Sequence, residues 1–414
     1  MAIRTNKSGT NGKVAYPAVP LAPQVAAPRV TPAPAPAPVV PPPAAPAATI
    51  HAKFAAARRE MAAALLERRE EIDLVLTAAL AGEHCLFEGP PGTAKSLLVD
   101  SFCAWLGGTN FTVLFNKFTT PEEVCGPVSV AGLKNDQYRR VTTGMLPEAD
   151  TAFLDEIFKA SSAILNTLLR ILNEREFHNG GVTVQCPLQL AVAASNEWPD
   201  SKELGALFDR FLFRKKVKPV AGYAGLERLL FDPNLTPQFT TTLSIAELEQ
   251  ARQESAALPW SDAAKDALRR IIAALRSEGI QPGDRRLRKS VKAAQAYAWL
   301  AGGVDVQPEH LEVLAHVLWE DPVEQPEKTA RIVGKIANPA AGECSELMLK
   351  AEQIVNTANP HDITGVTKAV DELRAVFTKL GTLKDTTGKV AQAKDYVHGL
   401  GEQLKAKMVS INML

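Results

Sequence analysis

The sequence predicts an α/β fold, a helix-flanked sandwich around a mostly parallel sheet, and two observations carry that expectation. Short apolar runs at Cys85–Phe87, Phe111–Phe115, Ala152–Asp155, Leu188–Ala194 and Phe213–Val217 alternate with helical patterns. Two of these runs end in chemistry: the first leads into Gly89-Pro90-Pro91-Gly92-Thr93-Ala94-Lys95-Ser96, and the third ends in Asp155-Glu156. Ligands of open α/β sheets collect at the carboxyl ends of the strands, and both segments lie there.

Along the chain, residues 1–50 read as a tail rather than a domain, because Pro32 to Pro46 is wholly Pro, Ala and Val, the composition of an extended spacer. Lys53 to Leu80, rich in Ala, Leu, Glu and Arg, is a strong helix signal. The α/β region then runs over 51–220. Within it, an irregular insert spans about 127–147, with a hairpin expected around Gly132–Asp136. A helix over Ser161–Asn173 carries Ile164, Leu165, Leu168, Leu169 and Leu172 on one face. A second hairpin with an Asn-Gly turn is expected over Phe177–Val184.

Strand signal vanishes beyond residue 220, so 221–330 reads as a separate all-α domain with helices at Ser244–Ala256, Ser261–Ser277, Arg286–Leu300 and Pro308–Leu318. In 331–414 the apolar residues Val366, Val370, Leu373, Phe377 and Leu380, then Val390, Ala393, Val397, Leu400 and Leu404, recur at three- and four-residue steps. They predict two amphipathic helices joined near Gly381–Gly388, with Ser345–Thr357 as a third member; an intramolecular bundle and a docking module are equally open.

The first motif is a phosphate-binding loop. Gly89 and Gly92 let the backbone turn and aim N–H groups inward, and the helix starting near Ala94 adds its positive end. Lys95 supplies charge for the β- and γ-phosphates, and the Ser96 hydroxyl suits Mg²⁺. In Thr151–Glu156 an apolar strand ends in two acids whose neighbouring side chains should face opposite ways. That leaves Asp155 for the Mg²⁺ shell and Glu156 to orient and deprotonate the attacking water. Asn196 ends a strand that can lie between these two, where its amide could reach the γ-phosphate and the water. Arg210, on a helical stretch over Leu204–Phe211, suits completion of a neighbouring subunit's phosphate site; Arg214 is the weaker candidate and a local pair with Asp209 the plainer reading. Arg285, opening a helix within Gly283–Lys289, is expected to reach the phosphates from the all-α domain, although a basic run can also be a solvated face.

The chain has 46 basic and 46 acidic residues and a net charge of zero, which argues against a general nucleic-acid binder. Its five cysteines, Cys85, Cys103, Cys125, Cys186 and Cys344, form no C-x-x-C pair, so a zinc site or disulfide framework is not expected and a reducing cytoplasm fits. No apolar run approaches the length of about 18 residues that suggests a membrane span, and Met1 to Gly12 lacks the apolar core of a secretory signal.

Taken together these strings resemble the AAA+ ATPases of the MoxR family, and most closely the RavA branch, over roughly residues 53–320. The likeness rests on Gly89–Ser96, Phe118–Val124, Leu146–Ala149, Phe153–Ile157, Ile164–Leu169, Asn173–Arg175, Ala193–Glu197 and Asp209-Arg210. The Ala94 that replaces the second glycine of the general loop pattern is usual for this family. The resemblance implies an AAA+ P-loop sandwich followed by an α-helical lid and, after it, the C-terminal helices. It makes Gly89, Pro90, Pro91, Gly92, Thr93, Ala94, Lys95 and Ser96 Walker A, Asp155 and Glu156 Walker B, Asn196 sensor 1, Arg210 the arginine finger and Arg285 sensor 2. It also implies ATP and Mg²⁺, a hexameric ring, inserts at the pore or upper face, and chaperone-like remodelling beside a separate protein with a von Willebrand factor A domain. The tail and the region after about 330 depart from the family pattern. The rival expectations are a nucleic-acid motor or loader, and a scaffold in which nucleotide only holds the ring together.

Overall fold

A computed structural model describes residues 49–198, 202–358, 363–383 and 389–412. Most of the expected tail, and residues 384–388 of the expected junction near Gly381–Gly388, lie outside them.

The N-terminal helical signal resolves into two helices rather than one. Thr49 caps α1 (Ile50–Ala64) through its hydroxyl, which accepts from the Ala52 N–H at 3.2 Å. Glu67 then adopts a left-handed φ of 55° and breaks the run before α2 (Arg69–Ala81). Next come β1 (Cys85–Glu88), α3 (Lys95–Leu106), β2 (Asn110–Leu114) and α4 (Pro121–Cys125), the last opened by a Thr120/Glu123 capping box.

The first insert differs from expectation. It forms a one-turn helix, α5 (Val130–Leu133), closed by a lone antiparallel bridge between Val128 and Arg140. The Ser129 hydroxyl accepts from Gly132 N–H at 3.0 Å, so a local side-chain cap wins over strand pairing. The chain continues through β3 (Thr151–Asp155), α6 (Ser162–Glu174), and the hairpin β4 (Glu176–Asn179) and β5 (Val182–Gln185). Its turn residues are Gly180 and Gly181, both at positive φ, one position later than the Asn-Gly turn the sequence suggests. β6 (Leu190–Ser195), α7 (Lys202–Phe208), β7 (Phe213–Lys216) and α8 (Tyr223–Phe231) complete this part.

The five longer-range strands form one parallel sheet in the order β2-β3-β6-β1-β7. β1 and β6 are buried throughout, as parallel strands covered on both faces must be. Alternation divides them between two cores. Cys85 and Phe87 of β1 and Val192 and Ala194 of β6 face a core with Phe54, Phe102, Trp105 and Trp299. Leu86, Ala191 and Ala193 face the other, with Phe115, Leu154, Leu168, Phe211 and Trp319.

Residues beyond 243 supply α9 (Ile245–Ala256), α10 (Asp262–Ser277), α11 (Asp284–Leu300), a 3-10 helix at Pro308–His316 and α12 (Gln325–Ala337). Their buried residues, including Leu248, Ile271, Leu275, Leu314 and Val333, join the first core, so these helices have no separate interior. The last three helices do. α13 (Pro339–Thr357), α14 (Ile363–Thr382) and α15 (Lys389–Asn412) pack around Cys344, Leu347, Val366, Leu373, Leu380, Val397 and Leu404. All five cysteines are buried and free of disulfides. Among the described residues no helix is long and apolar enough to cross a membrane.

Candidate active site

The phosphate loop joins β1 to α3 at the carboxyl edge of the sheet. Gly89 is wedged between neighbouring strands: its N–H donates to Ser195 O at 3.0 Å, and a Cβ there would stand 2.4 Å from Val217 O. Gly92 turns at a φ of 80°, and Ala94 lies in the left-handed region at 61°. The helix therefore begins at Lys95, with Ala94 as its cap rather than its first residue. A left-handed alanine costs about 1–2 kcal/mol, so the loop holds a backbone shape that a glycine would accept freely.

The Lys95 ammonium donates to Gly89 O at 2.7 Å and Pro90 O at 2.9 Å, curled into the loop. Burial lowers its pKa, while Asp155, Glu156 and Glu88 act in the opposite direction. Ser96 is exposed on the first turn of α3, and Asp155 is half-buried at the end of β3. Burial raises the Asp155 carboxyl above its ordinary value, and the Glu156 charge adds to the rise.

Glu156 is placed by a bend rather than by strand alternation. β3 ends at Asp155, and Glu156 follows in a left-handed conformation, φ 52°. Its N–H donates to Asp155 Oδ1 at 3.0 Å. Its Oε1 accepts a very short hydrogen bond from Asn196 Nδ2, and its Oε2 pairs with Lys159 Nζ at 3.2 Å. Asn196 gets there because β6 lies between β1 and β3 and ends one residue before it.

The structure brings Lys95, Ser96, Asp155, Glu156 and Asn196 to one edge and leaves both arginines away from it. Phe213 of β7 pairs with Cys85, at the start of β1, whereas the loop follows Glu88. Arg210, three residues before Phe213, thus lies a strand length, about 10 Å or more, from its own loop. It is half-buried, and its Nε has no hydrogen-bond partner. Its alternative partner, Asp209, is engaged elsewhere and binds Arg286 Nη2 at 2.8 Å and Arg214 Nη2 at 3.5 Å. Arg214 itself is wholly buried, donating to Phe211, Phe208 and Trp319 carbonyls, which removes it as a catalytic candidate.

Arg285 is a correction. It donates to Asn173 Oδ1 at the far end of α6, beside the Leu172 carbonyl that contacts His84 Nε2 at 3.0 Å, immediately before β1. Packing of α9 and α11 against α2 holds the start of α11 at the amino edge of the sheet, away from the phosphate loop of its own chain. Two further members of its basic run are engaged internally. Arg286 donates to Val317 O at 2.8 Å, and Lys289 pairs with Glu83 at 2.5 Å.

Two groups at the site escaped sequence reasoning. Buried Arg68 donates to Thr93 O at 3.0 Å, Lys218 O at 2.7 Å and Glu67 O at 3.0 Å, tying the loop to the α1–α2 junction and to the chain after β7. It sits in a charged helical run with no local mark. Glu88 ends β1 with its Oε2 buried, unbonded and 4.0 Å from Lys216 Nζ. An acid directly before the first loop glycine was the available signal.

Comparison with known proteins agrees with this geometry. Residues 52–249 match the family model described as the MoxR domain in the MoxR-vWA-beta-propeller ternary systems, and residues 266–333 match an AAA lid domain. The uncharacterized protein MJ0812 of Methanocaldococcus jannaschii is 39% identical over 345 residues, spanning 81% of this chain and 91% of that one. The chain belongs to the MoxR family of AAA+ ATPases. Chaperone MoxR1 of Mycobacterium tuberculosis is 27% identical over 214 residues, 50% of this chain and 55% of that one. A crystal structure from Cytophaga hutchinsonii, described as that of a "putative ATPase", superposes with a TM-score of 0.57 over 70% of this chain and 95% of that one. At 18% identity that likeness concerns the fold. The comparisons reach the MoxR family; the RavA branch is a finer placement than they make.

Proposed function

We propose that this MoxR-family chain is a Mg²⁺-dependent ATPase whose sites are completed between subunits of a ring, and that hydrolysis remodels a protein partner. The observation that carries this reading is the split of the machinery: Glu156, held by Asn196, stands with Lys95 at one edge of the sheet, while Arg210 and Arg285 stand at the other. A head-to-tail neighbour supplies what one chain lacks.

The residues fit the implied groups. The loop's Gly89–Ser96 backbone and Lys95 suit the phosphates, and Ser96 and Asp155 suit Mg²⁺. The unbonded Oε2 of Glu88 is a spare acceptor for a hydrated ion. Bound Mg²⁺ would offset charge on the phosphate oxygens. Glu156 orients the attacking water and accepts its proton, and Asn196 keeps that carboxylate aimed. Lys95 turns from the loop carbonyls to the phosphates. Arg210 of the next subunit, with its planar guanidinium, balances charge spread over the γ-phosphate in the transition state, and Arg285 approaches the same neighbour.

The name of the matching family model supports a separate von Willebrand factor A domain protein as the partner, and the chaperone name of the Mycobacterium relative supports remodelling. A nucleic-acid motor is disfavoured because Arg286 and Lys289 of the basic run are committed to internal partners. The test is complementation. Arg210→Ala and Lys95→Ala subunits, each inactive alone, should recover ATP turnover when mixed, since a mixed interface pairs an intact loop with an intact arginine. Co-assembly without any recovered turnover refutes the shared site.

A further inference from the structure

The Glu156 carboxylate is held at both oxygens, and one of the two partners has no part in the scheme above. After Glu156 turns to a φ of 52°, a 3-10 turn, Ile157–Lys159, follows at once. Such a turn has three residues per revolution, so residues three apart stand in line. Lys159 therefore rises over Glu156, and its N–H donates to Glu156 O at 2.9 Å. Ile157 is fully buried and Phe158 nearly so, which fixes the turn against the core that includes Leu154 and Leu168.

Asn196 Nδ2 donates to Oε1 of the carboxylate, and the Lys159 ammonium stands 3.2 Å from Oε2. Oε2 is buried and has no aligned hydrogen-bond donor among the described residues, so the ammonium meets it as a charge. The Glu156 side chain is 12% exposed and that of Lys159 42%, so a sheltered carboxylate is reached by a cation from the solvent side. A sheltered carboxylate without a counter-charge is costly, and lysine offers a compact one on a flexible stem. With Asn196 alone the carboxylate would swing about a single contact, whereas two contacts hold its plane. A half-exposed ion pair shifts an equilibrium by about five-fold at most. A catalytic group displaced by about 1 Å loses on the order of 100-fold in rate. Aim therefore outweighs the attraction itself.

We propose that Lys159 is a positioning residue for Glu156, forming with Asn196 a two-point clamp that fixes the carboxylate for proton abstraction. This rests on the reading of Glu156 as the base. As the water oxygen bonds to the γ-phosphorus and the bridging P–O bond breaks, the water proton passes to Glu156. Lys159 gives and takes no proton in that step.

The experiment measures ATP turnover and thermal unfolding of the full chain as wild type, Lys159→Met, Lys159→Arg, Glu156→Gln and the Glu156→Gln/Lys159→Met double variant. Lys159→Met should lower kcat about 10-fold and leave KM within about two-fold, because a base held at one point is misaimed. Lys159→Arg keeps the cation and should return kcat to within about three-fold of wild type. In the Glu156→Gln background, Lys159→Met should change turnover by less than about two-fold, since no base is left to aim. Thermal transitions separate loss of aim from loss of fold. The contact is also read without turnover or substitution at 159: acylation of the Lys159 amine, followed by peptide mass spectrometry, should be several-fold faster in Glu156→Gln than in wild type. Lys159→Met at the wild-type kcat, an equal loss in both backgrounds, or equal amine reactivity overturns the clamp and leaves Glu156 as the base. Glu156→Gln at the wild-type rate, or a wild type that does not hydrolyse ATP, overturns the base assignment and the clamp with it.

Discussion

At the scale of single residues, two positions of the candidate site adopt backbone conformations that their side chains disfavour. Glu156 and Ala94 both lie at left-handed φ, one aiming a carboxylate at Asn196, the other closing the phosphate loop. Glu156→Gln should keep nucleotide affinity and lower turnover about 100-fold or more in a steady-state phosphate-release assay, because the amide cannot accept the water proton. Turnover at the wild-type rate would remove Glu156 from that role. Ala94→Gly should raise stability by about 1 kcal/mol as the left-handed strain is relieved, read as a higher urea midpoint. The chemical types were readable in the chain, since Asp155, Glu156 and Asn196 stand at strand ends and Lys95 closes the glycine-bearing loop after β1. The manner of their placement was not: period-two alternation says nothing about a bend at residue 156.

At the scale of elements, the sheet is held in register at its amino edge by a buried histidine. His84, one residue before β1, is fully buried, contacts Leu172 O through Nε2 and accepts from Ala191 N–H through Nδ1 at 2.9 Å. Burial, reinforced by the Arg175 charge, pushes its pKa well below the ordinary value. The folded state then keeps His84 neutral while the unfolded chain takes up a proton below about pH 6.5. The unfolded state binds more protons there, so stability falls as pH drops, by about 1.4 kcal/mol per pH unit from this group. His84→Gln should flatten the slope of urea-derived stability between pH 6.5 and 5 by about that amount, whatever its effect at pH 8. Strands and most helices were legible because burial on both faces leaves apolar runs, and amphipathic helices repeat every three to four residues. The α1–α2 break and the α5 turn were not, because each depends on a side-chain contact: Glu67 with Ala221 and Gly222, Ser129 with Gly132.

For the whole molecule, the decisive feature is where the helical lid docks. Its buried side chains complete the core on one face of the sheet, which carries Arg285 to the edge opposite the loop. The reading of two subunits per site follows from that docking. The C-terminal bundle is different, since its core is its own. A chain ending after Asn338 should therefore fold, bind nucleotide within about two-fold of the full chain and keep its main thermal transition within a few degrees. Loss of nucleotide binding on truncation would show that α13–α15 supports the site.

The sequence by itself determined the family and the residue types of the candidate site. A phosphate loop, an acidic strand end and a polar strand end need only local residue types at local spacings, and those are written in order along the chain. Tertiary structure decided which of these groups share a site. The order of parallel strands put Asn196 against Glu156, and the docking of the lid carried Arg285 to the edge opposite the phosphate loop. Both outcomes depend on long-range packing of apolar faces, which no local spacing of residues encodes.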